Sequence, residues 1–417
     1  MKFNRRTFLS TSLLTSLSYP FFNASALASS DEQDDPIMAA ANKPVLQLGA
    51  FTSPVIIESI DLLKSGKFYL VRTRSRDGAV GLFMTNERIS YLYPILLQQV
   101  MPFFIGKDAR NLESLLDGVY VYESNYKLQG LAFWCCVAWV EASILDMLGK
   151  TAHQHISALF GGKVRDAVPV YVASGNRETT PEEEVKVLQK RIAETGAKAV
   201  KFKVGGRMSR NRDSMPNRSE GLIELSRKAL GDSITIQADA NGSYDVPKAV
   251  EIGRRLEGIG AYLFEEPCPF DDLDSTRQVT DALSIPVSGG EQESSEYRFA
   301  WMIRNKGVKI VQPDLHYYGG YVRTTRVARM AAAADMPITV HISGGNTGYA
   351  DMVNFSSFTP NTGKFQELKD GIDKTGPLFE PPMQVKDGLL NVPTGPGFGM
   401  VHTEDLLKEA KVVHEMF

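Results

Sequence analysis

"ITIQADANGSYDVPKAVEIGRRLEGIGAYLFEEP", residues 234–267, decides the fold. A β-rich run ends at Asp239, a helical stretch covers 246–258, and a second β-rich run ends at Glu265. The same grammar extends in both directions. Upstream lie "VPVYVAS" (168–174), a helix over 181–195, "KAVKFKV" (198–204) and a helix over 219–230. Downstream come "IPVSGGE" (285–291), "VKIVQPD" (308–314), "PITVHIS" (337–343) and "KFQEL" (364–368). Repeated strand–helix units imply a parallel α/β sheet. Eight such runs in about 200 residues suggest a closed (β/α) barrel, with chemistry at the carboxyl ends of its strands. The alternative is a doubly wound open sheet. Neither "GGKVRDA" (161–167) nor "VGGR" (204–207) has the spacing of its glycine-rich phosphate-binding fingerprint.

Acidic residues recur where barrel strands end. Asp239, Glu265 and Glu291 are spaced 26 and 26 residues apart, one strand–helix unit each. Three carboxylates at neighbouring strand mouths repel unless a cation sits among them, and oxygen-only ligands suit a hard ion such as Mg²⁺. On the preceding strand, Lys201 and Lys203 are two residues apart and therefore point to one side. That side is the barrel mouth, where nearby carboxylates stabilise the charges. Crowding of cations there favours a basic lysine. Further round, Asp314 ends "VKIVQPD" and His341 ends "PITVH", so the carboxylate can fix the tautomer of an imidazole on the adjacent strand. Glu367, in the eighth run, is placed to donate a hydrogen bond to a developing oxyanion if its site keeps it neutral.

Ahead of the barrel, "KFYLVRTRSRDGAVGLF" (67–83) alternates about an Asp-Gly turn and reads as a hairpin, followed by helical periodicity from about 88 to 150. The domains expected are an α+β cap over 31–165, a barrel over 166–390, and a C-terminal segment over 391–417. The first 28 residues read as an export signal. Lys2, Arg5 and Arg6 precede an apolar stretch and "ALA" (26–28) offers a cleavage site, in a twin-arginine-like arrangement. This predicts a periplasmic or otherwise exported protein. Its removal takes the formal charge from −3 to −6, and no polybasic surface argues for nucleic acid. Cys135, Cys136 and Cys268 make no disulfide framework, and the mature chain is expected to contain no membrane span.

The run of Lys-x-Lys, then Asp, Glu and Glu on successive strands, then an Asp–His pair, resembles the mandelate racemase subgroup of the enolase superfamily. "EASILDMLGK" (141–150) and "LFGG" (159–162) resemble that family's junction between cap and barrel. The resemblance implies a modified TIM barrel with an N-terminal α+β capping domain, and a C-terminal segment packed back on the cap. It also implies Mg²⁺ held by Asp239, Glu265 and Glu291. Lys203 would be the base on one face of the substrate carbon. Lys201 would lie nearer the substrate carboxylate, where it favours the basic form of Lys203. His341, oriented by Asp314, would serve the other face, and Glu367 would hydrogen-bond the enediolate. Residues 51–55 and the hairpin would close over the substrate, and the assembly would be a homo-oligomer.

The reaction expected is removal of the proton α to a carboxylate through an enediolate. Dehydration of a sugar acid to a 2-keto-3-deoxy acid is favoured over racemisation, epimerisation or cycloisomerisation. Arg207, Arg210, Arg212 and Arg218, after the lysine strand, are candidates to receive an anionic substrate. Two rivals are an exported binding protein that has lost turnover and a different Mg²⁺ enzyme on a barrel, such as an aldol-type lyase. The second leaves the paired lysines and the Asp–His pair without roles.

Overall fold

The computed structural model describes residues 35–343, 348–369, 372 and 378–413. The expected signal segment, residues 1–28, lies outside them.

The cap is built on three antiparallel strands, β1 (Ile57–Ser65), β2 (Phe68–Ser75) and β3 (Val80–Met84). β2 and β3 form the expected hairpin, pairing Arg72 with Leu82 and turning through Gly78, whose φ of +90° suits glycine. β1 has no counterpart among the expected strands. It buries Leu62 and Leu63 in succession, which breaks the alternation that marks a strand in sequence. The helical region that follows includes Ile89–Ile95, Leu112–Val121 and the long helix α1 (Leu131–Thr151). α1 lies against β3 so closely that a Cβ at Gly81 would stand 1.9 Å from the Ser143 carbonyl oxygen. Among the described residues, α1 alone is long and apolar enough to cross a membrane. It is 89% buried over its most apolar window and carries Glu141 and Asp146 into the interior, which makes it a core helix.

The barrel strands are β4 (Ala167–Ala173), β5 (Ala199–Lys203), β6 (Thr235–Asp239), β7 (Leu263–Glu265), β8 (Val287–Gly289), β9 (Ile310–Val311) and β10 (Gln366–Leu368). Each from β4 to β8 pairs in parallel with the next, and β10 returns to pair with β4. The expected seventh strand is different. Residues 338–341 make only isolated bridges, Val311 to Ile338, Asp314 to His341, and Ile338 to Thr362. Pro313 and Pro337 flank this seam and have no N–H to give a ladder, although both carbonyls accept across it. The bridges nonetheless join β9 to the closing segment, so the sheet is a modified TIM barrel.

Helices between the strands follow local rules. In α2 (Pro181–Thr195), Thr180 and Glu183 form a reciprocal capping box, and Gly196 ends the helix at φ +69°. α3 (Arg218–Leu230) and α4 (Val246–Gly258) follow β5 and β6, and the Asp245 side chain caps α4 by accepting from Lys248 N–H. Later in the chain, α5 (Tyr321–Ala333) follows β9 and α6 (Gly348–Phe358) follows the bridged segment.

Cap and barrel are joined by buried polar contacts. Glu141 of α1 accepts from Tyr321 N–H (2.6 Å) and Val322 N–H (2.8 Å) at the start of α5. Trp139 of α1 donates its indole N–H to His316 Nδ1 at 2.9 Å, which leaves His316 Nε2 to donate to Asp351 at 2.8 Å. Beyond the barrel, a strand over Lys411–Val412 pairs antiparallel with β1, setting Leu63 opposite Val412.

Candidate active site

Three consecutive barrel strands deliver the acids. Asp239 is the last residue of β6 and pairs in register with Glu265, the last of β7, while Glu291 lies two residues past β8. All three are buried, and ligand oxygens from them lie within 4.8 Å of one another. The charges of two lysines answer them. Lys203 bonds Asp239. Lys201, fully buried, reaches both Glu265 oxygens (2.9 and 2.8 Å), Glu367 (3.0 Å) and Asp239 (3.8 Å). Burial works against the charge on Lys201, but Glu265, Glu367 and Asp239 together hold its pKa well above the ordinary value. Burial likewise opposes ionisation of Asp239, yet Lys203, Lys201 and the Asn241 N–H bring its carboxyl below the usual range. Glu265 moves up, pushed by burial and by Asp239 and Glu291 while Lys201 resists.

This donor set fits a hard divalent cation. It is oxygen-only, buried and convergent, and three carboxylates carry more negative charge than two lysines can neutralise, one of them being shared with Glu367. Mg²⁺ would be held by Asp239, Glu265 and Glu291.

The Asp–His pair stands at the bridged seam. Asp314 Oδ2 lies 2.7 Å from His341 Nδ1, and Asp314 Oδ1 accepts from His316 N–H, Tyr317 N–H and Ser343 Oγ. His341 Nε2 faces the acids, 3.4 Å from Glu291. Burial disfavours the imidazolium, but Glu291, Asp314 and Glu367 outweigh it and raise the His341 pKa, with Lys369 opposing. Asp314 is lowered despite burial by its bond to His341 and by His316.

Glu367 is brought to the same cluster, but not as the neutral donor expected. Burial would raise its carboxyl; Lys201 at 3.0 Å and Lys369 at 3.1 Å hold it well below the ordinary range, so it is a carboxylate. Arg218 also departs from expectation. Its guanidinium is buried and donates to the carbonyls of Lys203 (2.9 Å), Thr179 (2.7 Å) and Asn176 (3.1 Å), fastening the barrel mouth instead of reaching for substrate. Arg207, Arg210 and Arg212 are exposed, and Arg212 donates to the nearby Ser209 carbonyl.

Several site residues escaped the sequence reading. Gln312 donates to Glu265 at 2.9 Å and stands two residues before Asp314, just past β9. Lys369 stands two residues past Glu367, and its Nζ is 3.1 Å from His341 Nε2. The spacing that singled out Lys201 and Lys203 applied to both. No comparable signal marked the cap residues. Just past β3, Asn86 donates to Ser343 at 3.1 Å, and Arg88 donates to the Tyr317 hydroxyl at 2.8 Å. These two join the cap to the site, whereas Val55, in the segment expected to close over it, donates its N–H to Asp108 within the cap.

The family described as enolase C-terminal domain-like matches residues 163–406, more than half of the chain. The chain belongs to the enolase superfamily. The match contains the lysine pair, the acid triad, the Asp–His pair and Glu367. Among curated relatives of this superfamily member, arabinonate dehydratase of Saccharolobus solfataricus is 27% identical over 341 residues, covering 80% of this chain and 88% of the relative. D-galactarolactone cycloisomerase of Agrobacterium fabrum is 27% identical over 356 residues, covering 82% and 91%. A solved mandelate racemase/muconate lactonizing protein from Paracoccus denitrificans, complexed with magnesium, superposes with a TM-score of 0.79 at 27% identity, covering 86% of this chain and 99% of that one.

Proposed function

We propose that this superfamily member is an Mg²⁺-dependent lyase that dehydrates a sugar acid to a 2-keto-3-deoxy acid. One observation carries the reading. A lysine and an imidazole meet opposite edges of one acid triad, Lys203 at Asp239 and His341 Nε2 at 3.4 Å from Glu291. Dehydratases among the relatives support the choice of reaction.

Removing the proton α to a carboxylate places a second negative charge on that group. Mg²⁺ in the triad would supply Lewis-acid stabilisation of the resulting enediolate. Lys203 takes the α-proton, and the C–H electron pair passes into the enediolate. Lys201, charged and fixed among Glu265 and Glu367, is a preorganised donor beside the substrate carboxylate. The enediolate pair then forms the α–β double bond as the β C–O bond breaks. His341 Nε2 gives its proton to the departing hydroxyl, which leaves as water, and the enol product tautomerises to the keto acid. Asp314 keeps Nδ1 engaged, so Nε2 is the nitrogen that faces the reaction.

Incubating the protein and Mg²⁺ with a panel of aldonic and aldaric acids in D₂O tests this, with keto-acid formation and α-deuteration as readouts. Both are expected for at least one acid. Deuteration with inversion and no keto acid supports an epimerase or racemase instead. Lactone isomerisation without loss of water supports a cycloisomerase, a second reading favoured by the equally similar D-galactarolactone enzyme. Neither signal with any acid or lactone refutes the lyase reading. The proposal further includes export directed by residues 1–28 and a symmetric homo-oligomer, tested by cell fractionation and by light scattering.

A further inference from the structure

We infer that Lys369 is a second donor to the oxygen that leaves the substrate, acting beside His341; this rests on the dehydratase reading above. His341 has two ring nitrogens, and Nδ1 is committed to Asp314 at 2.7 Å. Only Nε2 can deliver a proton to substrate. Lys369 Nζ lies 3.1 Å from that atom, and is steadied there by the Ile342 carbonyl (2.6 Å) and Glu367 (3.1 Å). A group that close to Nε2 occupies the shell where the departing hydroxyl must sit, because that oxygen also needs hydrogen-bond distance from Nε2.

A purely structural task does not account for this placement. Lys201 is shared with Glu265 and Asp239, so Lys369 at 3.1 Å does help to balance Glu367, but that task does not require its approach to within 3.1 Å of His341 Nε2. An ammonium set against an imidazole that must carry a proton is unfavourable unless something else takes up its hydrogen bond. A substrate hydroxyl seated beside the pair, within hydrogen-bond distance of both nitrogens, does so. It accepts from Lys369 and from His341 Nε2–H together, and as the C–O bond breaks both donors face the charge growing on oxygen. The proton moves from His341 to that oxygen, the C–O electron pair stays with oxygen, and Lys369 keeps all its protons. Lys203 bonds Asp239, so removal of the α-proton is assigned to a different residue from protonation of the leaving oxygen.

The separation gives the test. In the Mg²⁺-loaded protein, Lys369→Cys is expected to slow keto-acid formation by about 100-fold, the lower range for loss of a preorganised donor. Deuteration at the α-carbon, catalysed by Lys203, is expected to fall at least tenfold less than keto-acid formation does. Treating the folded variant with 2-bromoethylamine rebuilds a lysine-like ammonium at position 369 and is expected to restore most of the turnover. Cys135, Cys136 and Cys268 are buried and leave that reaction selective. A Lys369→Arg protein, assayed alongside, is expected to keep more activity than the cysteine variant. Equal loss of exchange and dehydration, no loss of either, or no recovery on aminoethylation overturns the inference. A wild-type protein that neither exchanges nor dehydrates any sugar acid removes the dehydratase reading itself, and this assignment with it.

Discussion

Replacing Glu141 by glutamine probes the joint between cap and barrel. The two Glu141 oxygens accept the first free N–H groups of α5, at 2.6 and 2.8 Å, and the fit is close: a Cβ at Gly320 would stand 1.8 Å from Glu141 Oε2. Burial pushes the carboxyl from its ordinary 4.5 up to about 8, although the two N–H groups, Arg323 and Arg326 pull the other way. An acid with a higher pKa in the folded state binds its proton more tightly when folded. Its contribution to stability is complete below the unfolded value and is lost as pH climbs towards the folded one. At about 1.4 kcal/mol per pH unit, the rise amounts to roughly 5 kcal/mol lost between about pH 5 and pH 8. Glutamine has nothing to titrate in this range. It keeps one acceptor for the helix and turns an NH₂ group on the other N–H, at a cost of about 1–3 kcal/mol. Glu141→Gln is therefore expected to be the less stable protein at pH 5 and to draw level with or pass the wild type by pH 9. Urea unfolding across pH 5–9 measures the difference. Two curves running parallel over that range refute the reasoning.

Further outcomes follow from the site and the core. Lys203→Ala is expected to lower α-deuteration by about 10²–10⁴-fold, the usual contribution of a positioned general base, measured by NMR in D₂O. Asp314→Asn loses control of the His341 tautomer, so keto-acid formation should fall at least tenfold further than exchange does in the same protein. Chelation should abolish turnover and Mg²⁺ restore it, while added Mg²⁺ raises the thermal midpoint of the wild type and not that of Glu291→Gln. Gly81→Ala forces a methyl group into the Ser143 carbonyl and is expected to cost at least about 1–3 kcal/mol in chemical denaturation.

The barrel was legible because its strands are short and mostly separated by helical segments, and because a constant 26-residue step placed Asp239, Glu265 and Glu291 at strand mouths. What the chain did not announce were properties of packing. β1 hides its period because adjacent leucines are both buried. The expected seventh strand has the composition of one but lacks a ladder, since proline supplies no donor at Pro313 and Pro337. The charge of Glu367 depends on Lys201 and Lys369 arriving at 3.0 and 3.1 Å, and the first of these crosses the barrel mouth from β5. Arg218 looked like one of four loop arginines, and only its burial among three carbonyls separates it from the exposed ones.

The pairing of Lys411–Val412 with β1 has a consequence for the order of events at the ribosome. Lys64 and its partner Lys411 are 347 positions apart. At about 5–20 residues per second, the outer flank of the cap sheet waits roughly 17–70 s for its last strand to be translated. During that interval β1 presents unsatisfied main-chain groups to the surroundings, so a nascent chain stalled before residue 411 is a candidate for mispairing with its neighbours on a polysome.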